Sequence, residues 1–173
     1  MQTLEHLSEF IIDTITQSNY PGFEAKAFRL GLPIQYHNAP ASLFLKALKS
    51  DNIYIQLAAL RWFQEKPNQT FSHQDAILNF LKSNDIWLRF EAIKTVERMS
   101  SPKENLAVAL SPLMLDESAM VKQEAIKAFG KIIRKLKINK PELLTNLEIA
   151  SQDKNHEVKR KALKALRLIK ALQ

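Results

Sequence analysis

A phrase of sixteen residues recurs along the chain, and its period decides what the chain can fold into. Leu81-Lys-Ser-Asn-Asp-Ile-Trp-Leu-Arg-Phe-Glu-Ala-Ile-Lys-Thr-Val96 follows Leu48-Lys-Ser-Asp-Asn-Ile-Tyr-Ile-Gln-Leu-Ala-Ala-Leu-Arg-Trp-Phe63 by thirty-three residues. Val121, Lys122, Ala125, Ile126 and Phe129 return thirty-three residues later, and Val158, Lys159, Ala162, Leu163 and Leu166 after a further thirty-seven. Four copies at a near-constant spacing of this length predict a stack of supersecondary units, each burying its apolar side against the next.

Within each copy the apolar residues keep helical time. Ile55, Leu88, Val121 and Val158 are the anchors of the four copies. Counted from each anchor, the residues four and eight places on fall on one face of a 3.6-residue helix. The fourth is alanine in every copy: Ala59, Ala92, Ala125 and Ala162. A small side chain there lets neighbouring helices approach to about 8 Å, the short end of the usual spacing.

The rest of the chain parses as helical pairs. The expected pairs are 41–49 with 53–65, 72–82 with 86–99, 103–114 with 118–136, and 141–151 with 156–171. Lys66-Pro-Asn-Gln-Thr70 reads as the link into the second pair. Pro112 should kink or shorten its helix, and Pro141 suits a helix start. Residues 1–39 lack the repeat; they read as a helix at 3–18, stopped by Asn19-Tyr-Pro-Gly22, a short helix at 23–30, and an irregular connection. This segment is expected to be an N-terminal helical cap or a degenerate repeat, with residues 40–173 forming one continuous repeat domain.

The unit Asp-x-x-x-x-Val-Lys/Arg-x-x-Ala, clearest from Asp116 to Phe129 and from Asp153 to Leu166, resembles a HEAT repeat. Pro141-Glu-Leu-Leu-x-x-Leu147 is similar to the opening helix of that family. The resemblance covers about residues 40–171 and implies an all-α, right-handed α-solenoid of about four helical hairpins. It also implies a ladder between neighbouring repeats, with Asp116/Lys122, Asp153/Lys159 and Asp85/Arg89 as candidates; Gln56 departs from the pattern and leaves the N-terminal end incomplete.

Chemistry is sparse. There is no cysteine, which excludes disulfides, thiolate metal sites and cysteine nucleophiles. No phosphate loop, Gly-x-Ser-x-Gly or His-Glu-x-x-His motif is present, and His6, His37, His73 and His156 stand in separate segments. HEAT-like deoxyhypusine hydroxylases hold iron through several His-Glu pairs. Here His156-Glu157 stands alone, and the corresponding Ala119-Met120 and Trp87 cannot ligate. For a HEAT-like alkylbase DNA glycosylase, Trp62, Trp87 and Asp85 are the only raw material, without a matching acidic motif. A HEAT-like phycobiliprotein lyase or assembly factor is a further option within the resemblance. The expectation is a non-enzymatic protein with no cofactor and no metal.

Two columns emerge when the copies are overlaid. Six places after the anchors stand Arg61, Lys94, Lys127 and Lys164, basic in every copy; Lys131, Arg134, Arg160 and Arg167 broaden this stripe. The bland reading is a solvated helix face, for which Lys and Arg are well suited; the functional one is a track for an acidic partner. One place before the anchors stand Tyr54, Trp87 and Met120, then Glu157. They read either as packing under the adjacent turn or as an exposed ridge of interface character. The net charge of +7 is uneven: residues 1–86 carry seven Lys/Arg against eight Asp/Glu, and residues 87–173 eighteen against ten. This asymmetry fits an acidic protein partner, with nucleic acid as the alternative. No run is apolar enough to insert in a membrane, and the N-terminus lacks a leader pattern, so the expected location is cytoplasmic.

Overall fold

The structure is a computed structural model; it describes residues 3–16, 36, 38–138 and 140–171, with the side chains of 12–16 excepted. The helix expected at 23–30, its preceding stop and most of the connection to Pro40 lie outside the described residues. All regular elements among them are helical.

Four helices carry the repeated phrase: α3 (Ile53–Gln64), α6 (Ile86–Glu97), α8 (Ala119–Leu136) and α10 (His156–Lys170). They form one layer in which α3 packs on α6, α6 on α8 and α8 on α10. Each also packs on the element before it: α2 (Ala41–Ala47) on α3, α5 (Gln74–Leu78) on α6, α7 (Glu104–Leu110) on α8 and α9 (Pro141–Ala150) on α10. The remaining helices are α1 (Leu4–Thr16), which lies against α2 and α3, and α4 (Pro67–Ser72), which packs on α3.

The alanine column sits where expected. Ala59, Ala92, Ala125 and Ala162 are all fully buried, flanked on the same stripe by Phe63, Val96 and Phe129. Ala58, off the stripe, is only partly buried against the core.

The repeated phrase also encodes how each of these helices begins. Three places before the anchors, Asn52, Asp85 and Asn155 accept hydrogen bonds from the first backbone N–H groups of α3, α6 and α10, which otherwise lack partners. Two places earlier stand Ser50, Ser83, Asp116 and Asp153. Each accepts from the backbone N–H two residues on, at 3.2, 3.1, 2.9 and 2.7 Å respectively. The Ser of the shared Leu-Lys-Ser is therefore turn chemistry, while Leu48 and Leu81 are buried in the core.

The second pair departs from expectation. Pro67, at the first helical position, starts a helix inside the segment read as a link. At His73 the backbone leaves the helical region (φ −119°, ψ 27°), and the element resumes as α5 and a 3₁₀ turn at Asn79–Lys82. Three short pieces thus replace one helix at 72–82. Pro112 shortens its helix as expected: α7 stops at Leu110 and Ser111–Leu115 continues as a 3₁₀ helix. At the end of α8, Lys137 adopts a left-handed conformation (φ 53°), and the Ile138 N–H reaches back to the Ile133 carbonyl at 3.1 Å.

Candidate partner-binding site

Neighbouring copies are joined by charged rungs. Arg89 grips Asp116 through Nε (2.8 Å) and Nη2 (3.0 Å), and its Nη1 donates to the carbonyls of Ser83 and Asn84. Lys122 meets Asp153 at 2.6 Å. Both rungs run from one copy to the next. The same-copy pairs Asp85/Arg89, Asp116/Lys122 and Asp153/Lys159 are corrected: Asp116 and Asp153 each receive the base of the preceding copy, Asp85 caps α6, and Lys159 makes no ion pair among the described residues. Gln56, at the place of Arg89, turns back to the carbonyls of Leu48 and Ser50 in its own copy.

The basic column faces a series of carboxylates, and this pairing decides what it can do. Arg61 lies 3.6 Å from Glu91, and Lys94 lies 3.2 Å from the same carboxylate, which is itself buried and accepts from Gln64 Nε2 at 2.6 Å. Burial pushes the Arg61 guanidinium below its ordinary value, and the Glu91 charge only partly restores it. These two cations are thus half-buried structural partners. Their expected place on an exposed stripe is corrected accordingly, because packing of α3 on α6 takes their stems out of water.

Lys127 bridges Glu124 (2.8 Å) and Glu97 (3.0 Å), and Lys131 reaches Glu97 at 3.3 Å. Burial pushes the Glu97 carboxyl up, but the hydrogen bonds and charges of Lys127 and Lys131 outweigh it and hold the group below the usual glutamate value. Burial likewise opposes protonation of Lys127, and its two carboxylates overcome that and raise it.

At α10 the compensation ends. Three places after the anchors, Glu91 and Glu124 neutralise the lysine one turn on; in α10 that place holds Lys161. Nine places after them, Gln64 and Glu97 reach across to the following helix, whereas α8 has Gly130 there. Two compensating side chains are thus replaced by a base and by nothing. Between α8 and α10 this leaves a groove of about 400 Å³. Its walls carry Lys127, Lys131 and Arg134 from α8 and Arg160, Lys161 and Lys164 from α10, and Glu97 also lines it. Ile126, Gly130, Ala165 and Leu168 supply its apolar surface. Arg160 is tied to Glu157 at 2.7 Å. Among the described residues, Arg134, Lys161 and Lys164 have no carboxylate partner.

Of the residues that the sequence columns point to, Lys127, Lys131, Arg134, Arg160 and Lys164 therefore meet at one groove. Arg167 is exposed and does not line it, and neither do Arg61 and Lys94. Tyr54, Trp87 and Met120 are half-buried and away from the groove, with Trp87 set edge-on to Phe90 at 6.4 Å. Lys161, Gly130, Ala165 and Leu168 belong to neither column, although overlaying the third and ninth places of the copies brings out the first two.

The other candidate chemistry is absorbed into structure. Trp62 stacks on Phe44 at 4.5 Å and donates its indole N–H to the Tyr36 carbonyl. His156 and Glu157 are exposed, 3.6 Å apart, and among the described residues no group of three or more His, Asp or Glu could hold a metal. No described helix is long and apolar enough to cross a membrane.

No family model and no curated protein matches the sequence. Solved structures do share the fold. One engineered protein superposes with a TM-score of 0.65 at 17% identity, covering 97% of this chain and 81% of its own. A second reaches 0.61 at 17% identity, with 92% and 78% covered. YibA of Escherichia coli reaches 0.58 at 18% identity over 88% of this chain, which spans 55% of YibA.

Proposed function

We propose that the chain is a non-catalytic protein-binding scaffold. In this reading it is a right-handed α-solenoid of about four HEAT-like hairpins behind an N-terminal helical cap. It holds the acidic surface of a partner protein on the face of its repeated helices. One observation carries the proposal: along that face the bases are matched by carboxylates from α3 to α8, and the match lapses at the groove between α8 and α10. Cations without an intramolecular partner attract an external anion, speed encounter and fix its register.

The nucleic-acid alternative has less support. A phosphate backbone laid along the face would find Arg61, Lys94 and Lys127 already engaged by Glu91, Glu97 and Glu124, so the track of available charge is interrupted for a uniformly charged polymer. The structural duties of Trp62, as a core side chain, and Asp85, as a helix cap, speak against the glycosylase option in particular.

Fluorescence anisotropy with a labelled glutamate-rich peptide and a labelled DNA duplex tests the reading. The expected result is preference for the peptide. Preference for the duplex, with an affinity falling at a log–log salt slope of about −0.9 per neutralised phosphate, would favour nucleic acid. Binding of neither at low salt overturns the acidic-partner reading.

A further inference from the structure

We infer that the groove between α8 and α10 is a two-part peptide site, taking an acidic segment of a partner protein that presents one aliphatic or aromatic side chain between its carboxylates. This deepens the acidic-partner reading and rests on it.

The two parts come from different residues. Arg134 on one wall and Lys161 and Lys164 on the other supply positive charge with no carboxylate partner among the described residues. The apolar surface between them is formed by Gly130, Ala165 and Leu168. A Cβ placed on Gly130 would lie 3.5 Å from the Ala165 Cβ, in ordinary contact, so space does not demand glycine there. For the helix alone glycine is the poorer choice. Its effect is to keep side-chain bulk off the bottom of the groove, where the two preceding repeated helices place Gln64 and Glu97. Leu168 remains 39% exposed, one of few large apolar side chains so placed. A lone phosphate would engage the cations and leave this apolar surface in water. An acidic segment with one apolar side chain covers both. The groove's volume of about 400 Å³ is ample for a single side chain.

Two glutamate-rich peptides, identical except for a central Leu or Ser, test this by calorimetric titration. The Leu peptide is expected to bind about tenfold more tightly, the effect of partly burying one such side chain. Leu168→Gln, at a site exposed enough to preserve folding, should shrink that difference between the Leu and Ser peptides. Arg134→Gln with Lys164→Gln should weaken both peptides alike. Equal affinities for the two peptides on the unmodified protein, both lost in the charge-neutralised variant, would overturn the apolar part and leave the acidic-partner reading standing. Affinities untouched by charge neutralisation would overturn both. Displacement of both peptides by inorganic phosphate at matched charge would reduce the groove to a simple anion site and overturn the inference.

Discussion

Arg89 is the residue whose environment leaves least latitude. Its side chain and that of Asp116 are 8% and 7% exposed, and the guanidinium satisfies two backbone carbonyls besides the carboxylate. Arg89→Met would strand a buried carboxylate, and the expected loss by chemical denaturation is on the order of 3 kcal/mol. Lys122→Met, at a more open rung, should cost less. Gly130→Ala should raise stability by about 0.5–1 kcal/mol, since the added methyl meets only ordinary contact and removes a helix-weakening glycine. Glu97 gives a pH test. Its carboxyl lies below the unfolded-state value near 4.5, so its contribution is present above that pH and fades as pH falls through the lower folded value. Glu97→Gln should therefore destabilise at neutral pH, with the difference from the unmodified protein shrinking in acid melts. Some of this is legible in the sequence and some is not. Sequence spacing misplaces Asp85 on a rung because Ser, Asp and Asn serve equally as turn acceptors and helix caps. Residue type alone does not tell positions two apart in the phrase from one another.

The repeated helices are readable as elements because each must bury a 3.6-residue stripe. Their observed bounds fall within two residues of those expected. The elements that precede them are less so. At five to ten residues they carry too few turns for periodicity to fix their ends. In the second pair, Pro67 and the Thr70 side chain, which bonds back to the Lys66 and Phe63 carbonyls, set a boundary that apolar spacing does not report. The alanine column makes a sharp prediction at this scale. Ala92→Leu should overpack the seam between neighbouring helices and cost roughly 1–3 kcal/mol, whereas Ala58→Leu should cost clearly less. Equal losses in thermal melts would contradict the assigned register.

At the scale of the molecule, the overlay of copies makes a basic column visible, but not its neutralisation. Whether Lys94 and Lys127 are available depends on Glu91, Glu97 and Glu124, whose reach is set by the approach of one helix to the next. The solved structures of similar fold speak to architecture alone. In the proposed reading position matters: an external anion would be drawn to the uncompensated end of the face. The decisive comparison is the affinity of a glutamate-rich peptide for two single variants, Lys164→Gln at the groove and Lys94→Gln at the compensated end. Lys164→Gln is expected to weaken binding severalfold and Lys94→Gln to leave it nearly unchanged. Equal weakening by both, or by neither, would contradict a site at the groove.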